Sequence, residues 1–217
     1  MIDFETSRTM MVDTQVRPSD VTKFPIIDAM LSVRRESYVP QGLRGVAYVG
    51  ENLNLGAGRV LLEPRTLAKM LDALEFEGDE LVLDIACGLG YSSAVIARMA
   101  GTVIAVEDDE ARVSDAESAL GAQNVDNVVV VEAPLHHGAA KPGPYDVIVI
   151  QGAVEHVPDA LTAQLKDGGR IAAIFAEGAL GVVRIGYKVD GAVTWRMAFN
   201  ANAPVLPGFE AAQSFSL

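Results

Sequence analysis

The densest chemical signal in the sequence is the stretch Asp84-Ile85-Ala86-Cys87-Gly88-Leu89-Gly90. It closes a short apolar run, "ELVLDIA", and leads into the helical pattern "YSSAVIARMA". Small side chains at Ala86, Gly88 and Gly90 let the backbone approach a ligand closely, and the helix start that follows offers free N–H groups. A second acid, Glu107, ends the next apolar run, "TVIAVE". A carboxylate there can accept both hydroxyls of a ribose in a bidentate pair. The plainer reading is a strand-end acid in a solvated loop, which is how Asp108 and Asp109 read.

Two cofactor classes use such a turn. A dinucleotide wants Gly-x-Gly-x-x-Gly, and counting from Gly88 the third glycine position is Ser93, so that fingerprint is incomplete. An S-adenosylmethionine site wants an acid at the strand end ahead of a small-x-small-x-small loop, a pattern met by Asp84, Ala86, Gly88 and Gly90. The Asp84 carboxylate can organise the turn or reach the cationic methionine end. Cys87 and Asp108 lie in the same two turns and are counted with the cofactor residues, Cys87 reading as a small buried side chain.

Around these residues the pattern alternates. The runs "ELVLDIA", "TVIAVE", "NVVVVEA", "YDVIVIQ" and "RIAAIFA" are interleaved with the helical stretches "YSSAVIARMA", "DDEARVSDAESALGA" and "VPDALTAQLKDGG". Apolar runs without alternation mark strands buried on both faces of a parallel sheet, and strand-helix alternation marks a doubly wound α/β domain. Asp190-Gly191, between two extended runs near the C-terminus, signals an antiparallel hairpin. Before the sheet, Pro64 suits a first helical turn, and Leu67, Met70, Leu71 and Leu74 form one apolar stripe, with Gly78 as its stop. Residues 51–62 read as loop with short extended pieces, and "DVTKFPIIDAMLSV" as an N-terminal helix. The expected organisation is an N-terminal helical segment and loop over residues 1–62 and the α/β domain over 63–217, packed as one compact unit.

The chain has 217 residues, half of them hydrophobic and 21% charged, a globular composition. Its net charge of −12 argues against a nucleic-acid partner, and its Lys and Arg residues are scattered. The one adjacent pair, Arg34-Arg35, reads as solvated surface. No apolar run approaches the roughly 18–20 residues of a membrane span. No secretory signal is visible at the N-terminus, and the single cysteine, Cys87, fits a reducing compartment, so a cytoplasmic location is expected. His136 and His137 are adjacent and expected to diverge, and His156 has no partner in sequence, so no metal site is expected.

The chain resembles the protein-L-isoaspartate O-methyltransferases. "MVDTQV" and "IIDAMLSVRRESYVP" are similar to the family's N-terminal helices and its V-x-R-E-x-F-V-P signature, and "YDVIVIQGAVEHVPDALTAQLKDGGRI" to its block ending Q-L-x-x-G-G-R. The resemblance implies a class I S-adenosylmethionine-dependent methyltransferase, a Rossmann-like doubly wound sheet with a C-terminal antiparallel hairpin. It also implies methyl transfer to the stray carboxylate of isoaspartyl residues in damaged protein, so a protein or peptide partner. Asp84, Ala86, Gly88 and Gly90 match the family's cofactor loop, and Glu107 its ribose-binding acid. After the third strand the family has Gly-Asp-Gly near the adenine. Here Ala133-Pro134 stand there, with Glu132 one residue away.

The acceptor side departs from the family. Its loop reads G-Q-T-I-S-x-P, against Gly58-Arg59-Val60-Leu61-Leu62-Glu63-Pro64, so both hydroxyls are replaced, at Val60 and Leu62. Leu62 is either an apolar wall of the acceptor pocket or a plain core contact. Arg59 is either solvated or a replacement anchor for a carboxylate, since a guanidinium grips one in two places. Gln151, just past the fourth strand, sits where ligand-facing residues emerge in open α/β sheets. No residue is assigned a catalytic role. A methyltransferase for another acceptor and a cofactor-binding protein without transfer activity remain open, as does the oligomeric state.

Overall fold

The computed structural model describes residues 2–178 and 180–211. Helix α1, Phe4–Met11, is capped by the Asp3 carboxylate and runs on through a π-helical turn, Val12–Val16. Helix α2 covers Phe24–Ser32, and two 3-10 segments, Arg35–Tyr38 and Gln41–Val46, lead to a small antiparallel hairpin, β1 (Leu53–Gly56) and β2 (Arg59–Leu61). Helix α3, Pro64–Leu74, starts with its proline at the first helical position. The stop comes earlier than Gly78. Glu75 turns left-handed at φ 52°, and the Arg170 guanidinium caps the freed carbonyls of Leu74 and Glu75 at 2.5 and 3.0 Å.

Strands and helices then alternate: β3 (Leu81–Ile85), α4 (Tyr91–Ile96), β4 (Thr102–Glu107), α5 (Glu110–Ala122), β5 (Val128–Glu132), β6 (Tyr145–Val154), α6 (Asp159–Thr162), β7 (Leu165–Glu177), β8 (Leu180–Val189) and β9 (Ala192–Asn200). The seven strands β3 to β9 form one sheet, with order β5-β4-β3-β6-β7-β8-β9. Strands β3 to β7 are mutually parallel, while β8 runs antiparallel to both its neighbours. The turn between β8 and β9 uses Asp190 and Gly191 at φ 51° and 79°, the hairpin geometry that pair favours. The helix expected over "VPDALTAQLKDGG" is only one turn long. Leu165 already pairs with Tyr145, and the next paired residues are Val147 and Arg170, so Lys166–Gly169 form a bulge in β7 and not a helix end.

Alternate residues of each central strand enter two cores. Val82, Val103, Val147 and Val149 join the α1–α4 side, with Val12, Met30, Leu62, Leu67 and Tyr91. Leu83, Ile85, Ile104, Val106, Ile148 and Ile150 face the other side, against Leu161, Leu206 and Phe209. Burial on both faces is why these strands read as unbroken apolar runs. The sheet order reverses between β3 and β6, which opens a crevice at the carboxyl ends of these strands.

One charged side chain ties the N-terminal segment to this frame. Arg35, expected at the surface, is fully buried. Its Nε donates to the Ala47 carbonyl and its Nη2 to the Leu62 carbonyl, both at 2.7 Å, and the guanidinium lies 4.7 Å from the centre of the Tyr91 ring. Two carbonyls and an aromatic face thus replace water around the cation. A lysine has one ammonium and cannot fork to both carbonyls. Arg35→Lys is therefore expected to lower the unfolding free energy by about 2–4 kcal/mol in urea denaturation, because at least one buried acceptor loses its donor. A loss under about 0.5 kcal/mol would mean these carbonyls do not depend on the guanidinium.

Candidate functional site

The loop after β3 is shaped by its register with β4. Ile85 pairs with Val106, and the N–H groups of Ala86 and Cys87 both donate to the Val106 carbonyl, at 2.9 and 3.4 Å. Ala86, Gly88 and Gly90 then take φ values of +62°, +60° and +93°. Glycine is required most clearly at Gly88, where an added Cβ would lie 3.0 Å from Leu55 Cδ1 in a conformation L-residues avoid. The Gly88 N–H donates to Glu107 Oε1 at 2.7 Å, joining the glycine loop to the acid at the end of β4. Cys87 is buried, and burial raises its thiol pKa well above the ordinary value.

Asp84 is fully buried at the end of β3. Its Oδ2 accepts from the hydroxyls of Ser92 and Ser93, both at 2.6 Å, and its Oδ1 accepts from Gln151 Nε2 at 2.8 Å. Desolvation pushes its pKa up to about 6, against the opposing pull of these three donors. Gln151, expected to face a ligand, is thus buried against Asp84. Ser93, the position where a dinucleotide loop has glycine, spends its hydroxyl on this carboxylate. The two serines were legible only as helix residues; their place one turn after the loop was the available signal.

Glu107 is buried beside it. Its Oε2 accepts from Arg59 Nε at 3.2 Å and from the Asp108 N–H at 3.3 Å, and Arg112 Nη1 stands 4.0 Å away. Arg59 Nη2 also bonds Asp108 Oδ1 at 2.5 Å, and Arg112 lies 3.7 Å from the same oxygen. Burial raises the Glu107 pKa, and the Arg59 charge pulls it back. Arg59 is therefore not solvated: it is buried in ion pairs with both acids. Sequence spacing had no signal for this contact, which bridges the β1–β2 hairpin and the sheet.

Beyond Asp108 a cavity of about 400 Å³ opens, lined by Glu132, Ala133, Pro134, Leu135 and His136. Glu132 pairs with Glu107 across β4 and β5, and the Ala133 N–H donates to the Glu107 carbonyl at 2.9 Å. The expected cofactor residues from Asp84 to Pro134 thus line one continuous edge of the sheet. On the acceptor side, Val60 and Leu62 are buried in the α1–α4 core, with no hydroxyl at either position. The His136 and His137 rings do not diverge; their centroids are 4.3 Å apart, edge to face. Among the described residues no group of three or more His, Cys, Asp or Glu side chains converges in a way that could hold a metal ion.

The profile of a family described as protein-L-isoaspartate(D-aspartate) O-methyltransferase (PCMT) matches residues 7–195. Protein-L-isoaspartate O-methyltransferase 1 of Rhodopseudomonas palustris is 36% identical over 77% of this chain and 69% of its own length. The Methylorubrum extorquens enzyme of that name is 36% identical over 76% of this chain and 72% of its own. Among solved structures, a protein-L-isoaspartate O-methyltransferase superposes with a TM-score of 0.80 at 21% identity, over 95% of this chain and 66% of that one. A Plasmodium falciparum protein to which the same activity is ascribed, solved in complex with S-adenosyl-L-homocysteine, gives 0.78 at 17% identity, over 95% and 99%. At those identities the two structures speak for the fold, which is the doubly wound sheet expected from the strand pattern and the class I methyltransferase fold that the family resemblance implied.

The raised pKa of Asp84 has a definite sign for stability. An unfolded aspartate titrates near 4, so between about pH 4 and 6 the folded state holds a proton that the unfolded state has lost. Through this group the folded protein is destabilised above about pH 6 and relieved as pH falls toward 4. The stability of the wild type relative to Asp84→Asn is expected to rise by about 2 kcal/mol between pH 7 and pH 4, measured by denaturant titration at each pH. A difference independent of pH would show that Asp84 keeps an ordinary carboxylate pKa.

Proposed function

The chain belongs to the protein-L-isoaspartate(D-aspartate) O-methyltransferase family, and from that membership we propose that it transfers a methyl group from S-adenosylmethionine to a carboxylate, with isoaspartyl residues of damaged protein as the first acceptor to test. The observation that carries the reading is the Gly88 N–H bond to Glu107, which brings the glycine loop and the acid of the adjacent strand into one site.

The residues present fit the cofactor. It offers a cationic methionine end and two ribose hydroxyls, all seeking acceptors, and the site offers the buried carboxylates of Asp84 and Glu107. Gly88 supplies a cradle that a side chain would fill. Asp84, Ala86, Cys87, Gly88 and Gly90 would hold the methionine end, Glu107 and Asp108 the ribose, and Ala133 and Pro134 the adenine. When bound, S-adenosylmethionine supplies a methyl group on a sulfonium. The acceptor carboxylate is already ionised at neutral pH, so the protein needs no general base. What it must do is hold the carboxylate in line and exclude water. Val60 and Leu62, both buried in the core, offer the acceptor no donor, while Arg59, paired with Glu107 and Asp108, is the cationic side chain on the same loop. Gln151 acts through Asp84.

A second reading, a methyltransferase for another acceptor, is favoured by the missing hydroxyls; a protein that binds the cofactor without transfer would share the same loop. A protein or peptide is the partner proposed, in the cytoplasm, and the charge of −12 argues against nucleic acid. No helix among the described residues is long and apolar enough to cross a membrane.

Methyl release with isoaspartyl and ordinary aspartyl peptides tests the acceptor. Wild-type turnover on the isoaspartyl peptide is expected to be weak, since one charge-assisted hydrogen bond is worth about 1.5–3 kcal/mol, or about 10- to 150-fold in rate. Leu62→Ser returns a donor to the family's position, at a cost in stability of about 2–3 kcal/mol for the cavity it leaves. A gain of about tenfold or more marks an isoaspartyl pocket that has lost its anchor. No gain in a folded, cofactor-binding variant points to the other acceptor.

A further inference from the structure

We infer that Arg59 is a resident competitor for the cofactor: its guanidinium holds the ribose-binding carboxylate of Glu107 in the ligand-free protein and is displaced, with the tip of the β1–β2 hairpin, when the cofactor binds. The inference rests on the cofactor reading above.

Glu107 has two oxygens with different duties. Oε1 is committed to the Gly88 N–H and keeps the glycine loop in shape. Oε2 is the oxygen left for a ribose hydroxyl, and Arg59 Nε and the Asp108 N–H already share it. A ribose can take up that acceptor only where the guanidinium gives way.

The guanidinium is a poorly satisfied resident. It is buried, yet Arg59 Nη1 has no hydrogen-bond partner, while its other nitrogens serve Glu107 and Asp108. A buried donor without an acceptor is a standing cost that departure removes. Exchange also keeps the charge of the site in balance, because one cation leaves as the cationic cofactor enters beside Asp84 and Glu107.

The hairpin that carries Arg59 leaves room for such a displacement at its tip. Its other strand lays Leu55 against Gly88, so both strands cover the expected cofactor path. The tip residues Gly56, Ala57 and Gly58 take φ values of +85°, +48° and +74°, and a Cβ on Gly56 or Gly58 would meet nothing within 4 Å. The tip is therefore free of neighbours. The base is anchored, by Arg35 on the Leu62 carbonyl and by Asn52 Oδ1 accepting the Glu63 N–H at 2.8 Å. Leu53, Val60 and Leu61 are also held in the core, so movement is confined to the hairpin tip and the Arg59 side chain.

The test compares S-adenosylmethionine binding to the wild type and to Arg59→Gln by calorimetry, and follows the Arg59 Nε–H resonance of the wild type by NMR, assigned by its loss in Arg59→Lys. Removing the competitor is expected to tighten binding about tenfold or more. The Nε–H signal, protected in the ligand-free protein, is expected to vanish or shift to a solvent-exposed position at saturation. Equal or weaker binding by folded Arg59→Gln, or an Nε–H signal unchanged at saturation, would overturn the inference and make Arg59 a fixed part of the site. Should Arg59→Gln fail to fold, the wild-type resonance decides alone. Absence of binding by the wild type as well as the variant would overturn the cofactor reading together with this one, whereas binding with Arg59 in place overturns this one only.

Discussion

Two carboxylates buried at the ends of neighbouring strands, Asp84 and Glu107, are the constraint around which the rest is arranged. A bare buried carboxylate is too costly to persist, so each is surrounded by donors. Asp84 takes two serine hydroxyls and the Gln151 amide; Glu107 takes the Gly88 N–H and the Arg59 guanidinium. The serines follow Asp84 in the same strand-loop-helix unit, but Gln151, Gly88 and Arg59 come from other parts of the chain than the acids they serve. The parallel register of β3, β4 and β6 must therefore be right before either acid is satisfied. The incomplete compensation shows in the raised pKa values of both groups. Acids held in this condition suit a ligand that arrives with hydroxyls and positive charge.

The same frame explains how the acceptor loop could lose its hydroxyls without losing its shape. The backbone at Leu62 is held from behind by Arg35, through the carbonyl and not the side chain. A leucine at this position joins the core with Leu67 and Tyr91, and the loop still enters α3 at Pro64. Shape and side-chain chemistry are thus separable here: the loop keeps its backbone anchor with Val60 and Leu62 where the family resemblance implies hydroxyls.

The fold was legible because burial on both faces leaves an unbroken apolar signature on β3, β4 and β6, and because Asp190-Gly191 encodes its own turn. The tight turn after β3 was legible for a related reason: a loop with φ above zero at Ala86, Gly88 and Gly90 demands small residues in a short span. What stayed hidden depends on contacts distant in sequence. Nothing near Arg35 or Arg59 distinguishes a buried guanidinium from a solvated one; their partners lie 12 to 49 residues away. The short α6 was hidden likewise, since "QLKDGG" has helical composition and only pairing of Leu165 with Tyr145 draws it into a bulged strand.

The central claim, that Asp84–Gly90 and Glu107 form an S-adenosylmethionine site, is tested most directly by calorimetric titration of S-adenosylmethionine, with NAD as the competitor, into the wild type and Glu107→Gln. One site with a preference for S-adenosylmethionine is expected, weakened about 10- to 100-fold in the variant by loss of a charge-assisted acceptor for the ribose hydroxyls. Preferential binding of NAD, or an affinity for S-adenosylmethionine unchanged in Glu107→Gln, would contradict it.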